Sequence, residues 1–177
     1  DTNINGLKNI SFIINPGDSL GVIGTTGSGK STLANSMMRL FDIDHGSILI
    51  DEHKIQDLNV VEFRRQVGYV PQDVFLFSDT IENNILFGTK GKRIEDVEEA
   101  AENADLTRNI KSFPEKYKTK IGERGITLSG GQKQRISIAR AIIKKPKILI
   151  LVGAINNRVE LLPGEEGAVI VRSTLID

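Results

Sequence analysis

Gly24-Thr25-Thr26-Gly27-Ser28-Gly29-Lys30-Ser31-Thr32 gathers three glycines, one lysine and four hydroxyl side chains besides Ser31 into a single short stretch. Lacking a Cβ, the glycines let successive backbone N–H groups converge on an anion without side-chain clash. Lys30 adds a mobile positive charge for outer phosphates, and Ser31 offers a hydroxyl to Mg²⁺. The spacing Gly24-x-x-x-x-Gly29-Lys30-Ser31 fits the phosphate-loop pattern in full, set against the plainer reading of a glycine-rich turn with an incidental lysine. About a hundred residues downstream stands Leu128-Ser129-Gly130-Gly131-Gln132. It opens a predicted helix, so its N–H groups form a second anion-seeking end; alone it also reads as a helix start capped by Ser129. Two such ends, too far apart to be one loop, imply a composite site.

The elements around these segments must aim them. Residues 10–14 and 19–23 are β-branched runs separated by Asn15-Pro16-Gly17-Asp18, which predicts two strands joined by a turn. The second run feeds the glycine loop. Leu33, Met37 and Leu40 then recur at helical spacing until Gly46, completing the strand–loop–helix context that a phosphate loop requires. Further strands are expected at 47–51, 67–70 and 148–152. Helices are expected at 60–66 with Asn59 as cap, at 80–86, at 94–104, at 106–113 and at 132–144. On the 94–104 helix, Ile94, Val97, Ala101 and Ala104 share one face, leaving Glu95, Asp96, Glu98, Glu99 and Glu102 as its wet face. His45 and His53 are expected at the surface. Runs at 159–162 and 168–171 flank Pro163-Gly164-Glu165-Glu166-Gly167, which suggests a hairpin.

Composition narrows the classes. The 177 residues fit one domain, with 39% apolar and 26% charged residues, enough to build a core. Acidic and basic residues both number 23, so no charge excess favours nucleic acid or an anionic membrane as the main partner. Without cysteine there is neither a disulfide framework nor a thiolate metal site. The longest apolar stretch, 148–155, is too short to cross a bilayer, and the first residues lack the pattern of a secretion signal. A membrane role is expected to come through a partner.

Taken together, the ordered motifs resemble the nucleotide-binding domain of ABC transporters, over nearly all of residues 4–151. Residues 24–32 look like that family's Walker A motif and 128–132 like its signature motif. Val70-Pro71-Gln72-Asp73 resembles its Q-loop. Residues 75–81 with Asn84-Ile85, and Gly122-Glu123-Arg124-Gly125, resemble segments of the exporter branch. The resemblance implies an α/β fold of the P-loop NTPase (ABC ATPase) type. That fold would have a mostly parallel sheet, a small antiparallel β portion from the N-terminal strands and a helical subdomain around 94–113. It implies ATP and Mg²⁺ as cofactors, held by Gly24, Thr25, Gly27, Ser28, Gly29, Lys30, Ser31, Thr32 and Gln72. Ser129, Gly130, Gly131 and Gln132 would act from a second nucleotide-binding domain in a head-to-tail dimer. Ser31 and Gln72 would serve the metal. A transmembrane domain or subunit would be the other partner, at the cytoplasmic face of a membrane, and the reaction would be ATP hydrolysis coupled to export.

The pattern changes after residue 151. The family's apolar strand ends in an Asp that helps hold Mg²⁺ and a Glu that acts as general base, an effect worth roughly 10²–10⁴-fold. Here Ile148-Leu149-Ile150-Leu151 runs into Val152-Gly153, so no catalytic carboxylate is identified. A switch histidine is likewise missing downstream. The start also resembles a domain cut short, without the adenine-stacking aromatic. Residues 1–151 are therefore expected to form an incomplete nucleotide-binding domain and 152–177 a divergent tail. Three readings stay open: an ATP-hydrolysing exporter domain, a nucleotide-binding module that does not hydrolyse, and a truncated gene remnant; a fourth, a DNA-repair relative of the ABC ATPases, is disfavoured by the balanced charge and the exporter-type loop at Gly122–Gly125.

Overall fold

The computed structural model describes residues 7–23, 25, 27–122, 126–152 and 172–174. Strand β1 (Gly21–Ile23) follows a turn in which Asp18 N–H donates to Asn15 O at 3.0 Å. Pro16 and Gly17, the latter at φ +85°, occupy the two central positions, as a type II turn demands. The Asp18 carboxylate accepts from the Asn15 main chain at 3.2 Å and side chain at 3.0 Å, fastening the turn. The turn matches the expectation, but the strand at 10–14 does not form. Those residues carry no ladder, and Ile13 is 89% exposed. A β-branched run becomes a strand only when a neighbour pairs with it, and no described segment does. β1 itself pairs in parallel with β6 (Arg172–Thr174), in the register Gly21 to Arg172. The expected hairpin at 159–162 and 168–171 lies outside the described residues.

After the loop comes α1 (Lys30–Met37), shorter than the Leu33-Met37-Leu40 spacing predicted; Leu40 is exposed. Arg39, at φ +50°, ends the helix. Its N–H donates to Ser36 O at 2.9 Å and Leu40 N–H to Asn35 O at 3.0 Å. The last carbonyls of this end accept from Arg64 (Nε to Met38 O at 3.2 Å, a terminal nitrogen to Arg39 O at 2.7 Å).

The antiparallel portion is not made by the N-terminal strands. It is the hairpin of β2 (Leu49–Ile50) and β3 (His53–Lys54). The strand expected at 47–51 ends early because Asp51 and Glu52 both adopt positive φ, +48° and +68°, the condition of a type I′ hairpin turn. His45 and His53 are exposed, as expected. A short 3₁₀ turn leads to α2 (Val60–Arg65), where the Asn59 side chain accepts from Val61 N at 3.0 Å and Glu62 N at 3.1 Å.

The centre is a parallel pair, β4 (Val67–Val70) and β5 (Ile148–Leu151), registered Val67 to Ile148 through Val70 to Leu151. Alternation sends their side chains to opposite faces. Val67, Tyr69, Ile150 and Val152 pack with Ala34 of α1 and Met38 at its C-cap, together with Ile55 and Phe63. Val70, Leu149 and Leu151 pack on the other side against a helical cluster. That cluster contains α3 (Ile81–Leu86), α4 (Ile94–Asn103), α5 (Thr107–Ser112) and α6 (Gly130–Ile142). Burial on both faces is why 148–152 reads as an unbroken apolar run. Gly68 lies on the α6 side, where an added Cβ would come within 2.8 Å of Leu149 Cδ1 and 2.9 Å of Pro146 Cγ.

Val97, Ala101 and Ala104 are buried, whereas Ile94 is 38% exposed. The α4 carboxylates face outward except Asp96, which accepts from Arg93 N at 2.8 Å and so caps the helix. α6 starts two residues earlier than predicted, because Ser129 and Gln132 form a capping box that makes Gly130 the first helical residue.

Candidate phosphate-binding site

The loop between β1 and α1 is shaped by two left-handed glycines, Gly27 at φ +81° and Gly29 at φ +90°. Such angles are costly for any residue with a Cβ. Gly29 is also the N-cap of α1, and no side chain caps that end. The first-turn N–H groups of α1 thus face outward with the positive end of the helix dipole behind them. Among the described residues no heavy atom lies within 4 Å of a Cβ built on Gly27, so the space beside that glycine is open. Lys30 Nζ donates to Thr25 O at 2.7 Å and to Ser28 Oγ at 3.2 Å, and Ser28 N donates to Thr25 O at 3.2 Å. The ammonium therefore sits over its own loop. Ser31 is exposed and Thr32 half-buried. Gly24 and Thr26 lie outside the described residues.

Gln72 is exposed, two residues beyond the end of β4. Val152 sits just past the paired end of β5, its N–H donating to Val70 O at 2.9 Å. The loop, Gln72 and Val152 thus all follow the carboxyl ends of strands, where open α/β sheets bind ligands. These groups suit a phosphate. A helix end, an ammonium and two hydroxyls supply donors, and nothing acidic is among the described loop residues. Val152 is different: its side chain is 3% exposed and packed in the cluster that contains Ala34 and Met38. An isopropyl group there can neither ligate a metal nor polarise water. Gly153 is outside the described residues.

Ser129 Oγ accepts from Gln132 N at 3.3 Å, and Ser129 N donates to Gln132 Oε1 at 2.8 Å. Gly130 and Gly131 are exposed with open space around them. No hydrogen bond among the described residues joins this helix end to the loop at 25–32. Leu128 belongs instead to the helical cluster. Ser129–Gln132 is therefore a second helix start, separate from the loop.

Two linkages escaped sequence reasoning. Tyr69 OH donates to Asn35 Oδ1 at 2.9 Å, tying the strand that leads to Gln72 to the helix that leads from Lys30. Burial raises the Tyr69 hydroxyl's pKa above its ordinary value and keeps it a donor. A tyrosine alternating with valines in a strand carries no mark of this role. The other is Arg140 of α6, which donates through Nε to Asn84 O at 2.8 Å. Its two terminal nitrogens reach Phe75 O and Asn84 Oδ1, each at 2.9 Å. The guanidinium lies 5.7 Å from the ring centroids of both Phe77 and Phe87. Burial lowers its pKa from the ordinary value, and it remains cationic at neutral pH. The signal was present: Arg140 shares a helix face with Ile136 and Ile143, where a charge must find partners. Above it, Phe75, Phe77 and Phe87 stack (centroids 5.1 and 4.3 Å apart) and stay exposed.

Comparison with known proteins agrees with this geometry. The family model described as ABC transporter matches residues 7–152. An uncharacterized ABC transporter ATP-binding protein YfiB of Bacillus subtilis is 49% identical over 145 residues, which are 82% of this chain and 25% of that protein. The multidrug resistance-like ATP-binding protein MdlA of Buchnera aphidicola is 48% identical over 158 residues, 88% of this chain and 27% of that one. Among solved structures, a bacterial Atm1-family ABC exporter with ATP bound superposes with a TM-score of 0.86 at 35% identity, covering 97% of this chain and 32% of the exporter. The chain thus spans about a quarter to a third of the length of these proteins. No helix among the described residues is long and apolar enough to cross a membrane. With a phosphate loop, a signature-type helix end and the α/β core that carries them, this chain belongs to the ABC transporter family.

Proposed function

We propose that this chain is the ATP-binding part of an ABC exporter, holding MgATP on the loop at 24–32. The observation that carries the reading is the open loop itself: two left-handed glycines, an uncapped α1 N-terminus and the Lys30 ammonium poised over them. Gly24, Thr25, Gly27, Ser28 and Gly29 offer backbone donors. Lys30 moves from Thr25 O to the outer phosphates, and Ser31, Thr32 and Gln72 serve the phosphates and Mg²⁺. Mg²⁺ would neutralise charge on the β- and γ-phosphates. Ser129, Gly130, Gly131 and Gln132 of a second copy complete the site head to tail, since within one copy no described bond links them to the loop. The exposed Phe75, Phe77 and Phe87 are the surface offered to a membrane-spanning partner, and the chain works at the cytoplasmic face of the membrane. Residues 1–151 form the binding unit, and 152–177 add β6.

Hydrolysis by this chain is slow. Support comes from Val152: a buried isopropyl group occupies the place where the family's chemistry needs a carboxylate, and loss of general-base assistance costs roughly 10²–10⁴-fold. The test is paired. A fluorescent ATP analogue binds the chain and its binding is lost in Lys30→Ala, while phosphate release stays near background and rises in the double variant Val152→Asp, Gly153→Glu. Binding indifferent to Lys30 would overturn the site. Brisk Mg-dependent release by the unchanged chain would overturn the account of Val152.

A further inference from the structure

The hydrogen bond between Tyr69 and Asn35 joins two short arms that both end at the phosphate-binding site. On α1, Asn35 stands four residues beyond Ser31, so the two positions share the helix face that Tyr69 meets. Four residues of helix rise about 6 Å. On the other arm, Gln72 follows Tyr69 by three residues, a reach of at most about 11 Å. That arm is stiff. The Pro71 ring fixes its own φ and keeps Val70 extended. Val70 is fully buried, pairs with Leu151 and accepts from Val152 N at 2.9 Å. The Tyr69 O–H, donating to Asn35 Oδ1 at 2.9 Å, is therefore a crossbar set close beneath Ser31 and Gln72.

Apolar packing also holds the arms together, since Val67 and Tyr69 share a cluster with Ala34 and Met38. Such contacts resist separation but have no direction, so they permit small sliding of helix along strand. A hydrogen bond weakens steeply as its geometry departs from the optimum. Both partners here are half-buried, where the bond is stronger than in water. It thus fixes what packing leaves loose, the position of Ser31 relative to Gln72. Spacing of that kind matters most for a cation. Mg²⁺ demands a near-ideal octahedron at about 2.0–2.1 Å, whereas Ca²⁺ accepts looser shells at about 2.3–2.6 Å. We infer that Tyr69 is a positioning residue, whose bond to Asn35 fixes the Ser31–Gln72 spacing and gives the site its preference for Mg²⁺ over larger divalent cations. This rests on the MgATP reading proposed above and deepens it by a residue that touches neither nucleotide nor metal.

The test measures affinity of the 177-residue chain for the fluorescent ATP analogue with Mg²⁺, with Ca²⁺ and with a chelator. In Tyr69→Phe the gain in affinity brought by Mg²⁺ falls about tenfold, the size typical when a group behind a metal ligand is removed. The gain brought by Ca²⁺ falls less, and the metal-free affinity, which reads the Lys30 loop, holds. Tyr117→Phe, which removes the other phenol of the chain from beside the helical cluster, moves none of the three. Asn35→Ala repeats the Tyr69→Phe result from the far side of the bond, and serves alone should Tyr69→Phe not fold by circular dichroism. The double variant loses no more than either single one, as for two ends of one bond. Equal loss in all three conditions marks a packing role and overturns the inference. So does an unmoved Mg²⁺ gain, the lack of any such gain in the unchanged chain, or additive losses in the double variant. Lys30→Ala separates the two levels. Binding that survives it sinks the MgATP reading and this inference together, whereas binding lost there with Tyr69→Phe unmoved sinks this inference alone.

Discussion

Asn84→Ala isolates the polar link between α3 and α6. The side chain is fully buried and makes four bonds. Oδ1 accepts from Phe77 N at 2.8 Å and from Arg140 at 2.9 Å, and Nδ2 donates to the Phe77 and Thr80 carbonyls at 3.0 Å each. The acceptors retain other donors: Phe77 O accepts from Asp79 N and Thr80 O from Asn84 N. The Phe77 N–H and one Arg140 N–H are left without their acceptor. Each such orphan costs about 1–3 kcal/mol, the charged one toward the upper end. Because the Phe75–Phe87 edge is exposed, water repairs part of this loss, so we expect about 3 kcal/mol. With a urea slope near 2 kcal/mol/M for a chain of this size, the unfolding midpoint falls by roughly 1.5 M. The neighbouring Asn83→Ala removes only an exposed bond to Asp79 and shifts it little. A loss below about 1 kcal/mol for Asn84→Ala, or additivity with Arg140→Ala where a coupling near 1 kcal/mol or more is expected, would refute the node.

Other outcomes follow from single contacts. Gly68→Ala drives a methyl into Leu149 and Pro146 and lowers the melting temperature by roughly 4–8 °C, about 2 kcal/mol of overpacking, readable by scanning calorimetry. Gly122→Ala is destabilising by about 1–3 kcal/mol, since φ is +99° and the new Cβ would crowd Ser78 Oγ and lie 3.0 Å from Ser78 Cα. Adding Ser78→Gly recovers only the steric share in a denaturation cycle. The Arg93 backbone N–H, with Lys92 nearby, holds the Asp96 carboxyl below the usual carboxylate range. A depressed folded value gives stability that is present at neutral pH and lost as pH falls below about 4, so Asp96→Asn flattens that part of the acid-unfolding curve.

The glycine turn ahead of α1 was plain in the sequence, because glycine placement is itself the conformational signal, and most helices were legible through their apolar spacing and caps. Asn59 and Ser129 cap where their types predicted. Pairing was harder to read. Residues 10–14 have strand composition but no described partner, while the β2–β3 hairpin turns on Asp51-Glu52, a pair without the glycine that usually marks such turns. Propensity is local, whereas a ladder is an agreement between two segments. The same limit hid Asn35–Tyr69 and Asn84–Arg140, whose partners are 34 and 56 residues apart. Val152 shows the complementary case: its identity was legible, but only packing reveals that it shares a core with α1.

Helix α6 carries Ser129 at its N-cap and Arg140 near its far end, eleven steps later along one uninterrupted rod. At 1.5 Å per step those positions are about 16 Å apart. A stiff bar of that span turns small angles into useful travel: pivoted beneath the aromatic edge, a tilt of about 4° carries the serine end roughly 1 Å, enough to make or break a hydrogen bond. On the function proposed above, pressure on the ring cluster and closure over a distant polyphosphate would be geared to each other without any rearrangement inside the bar itself.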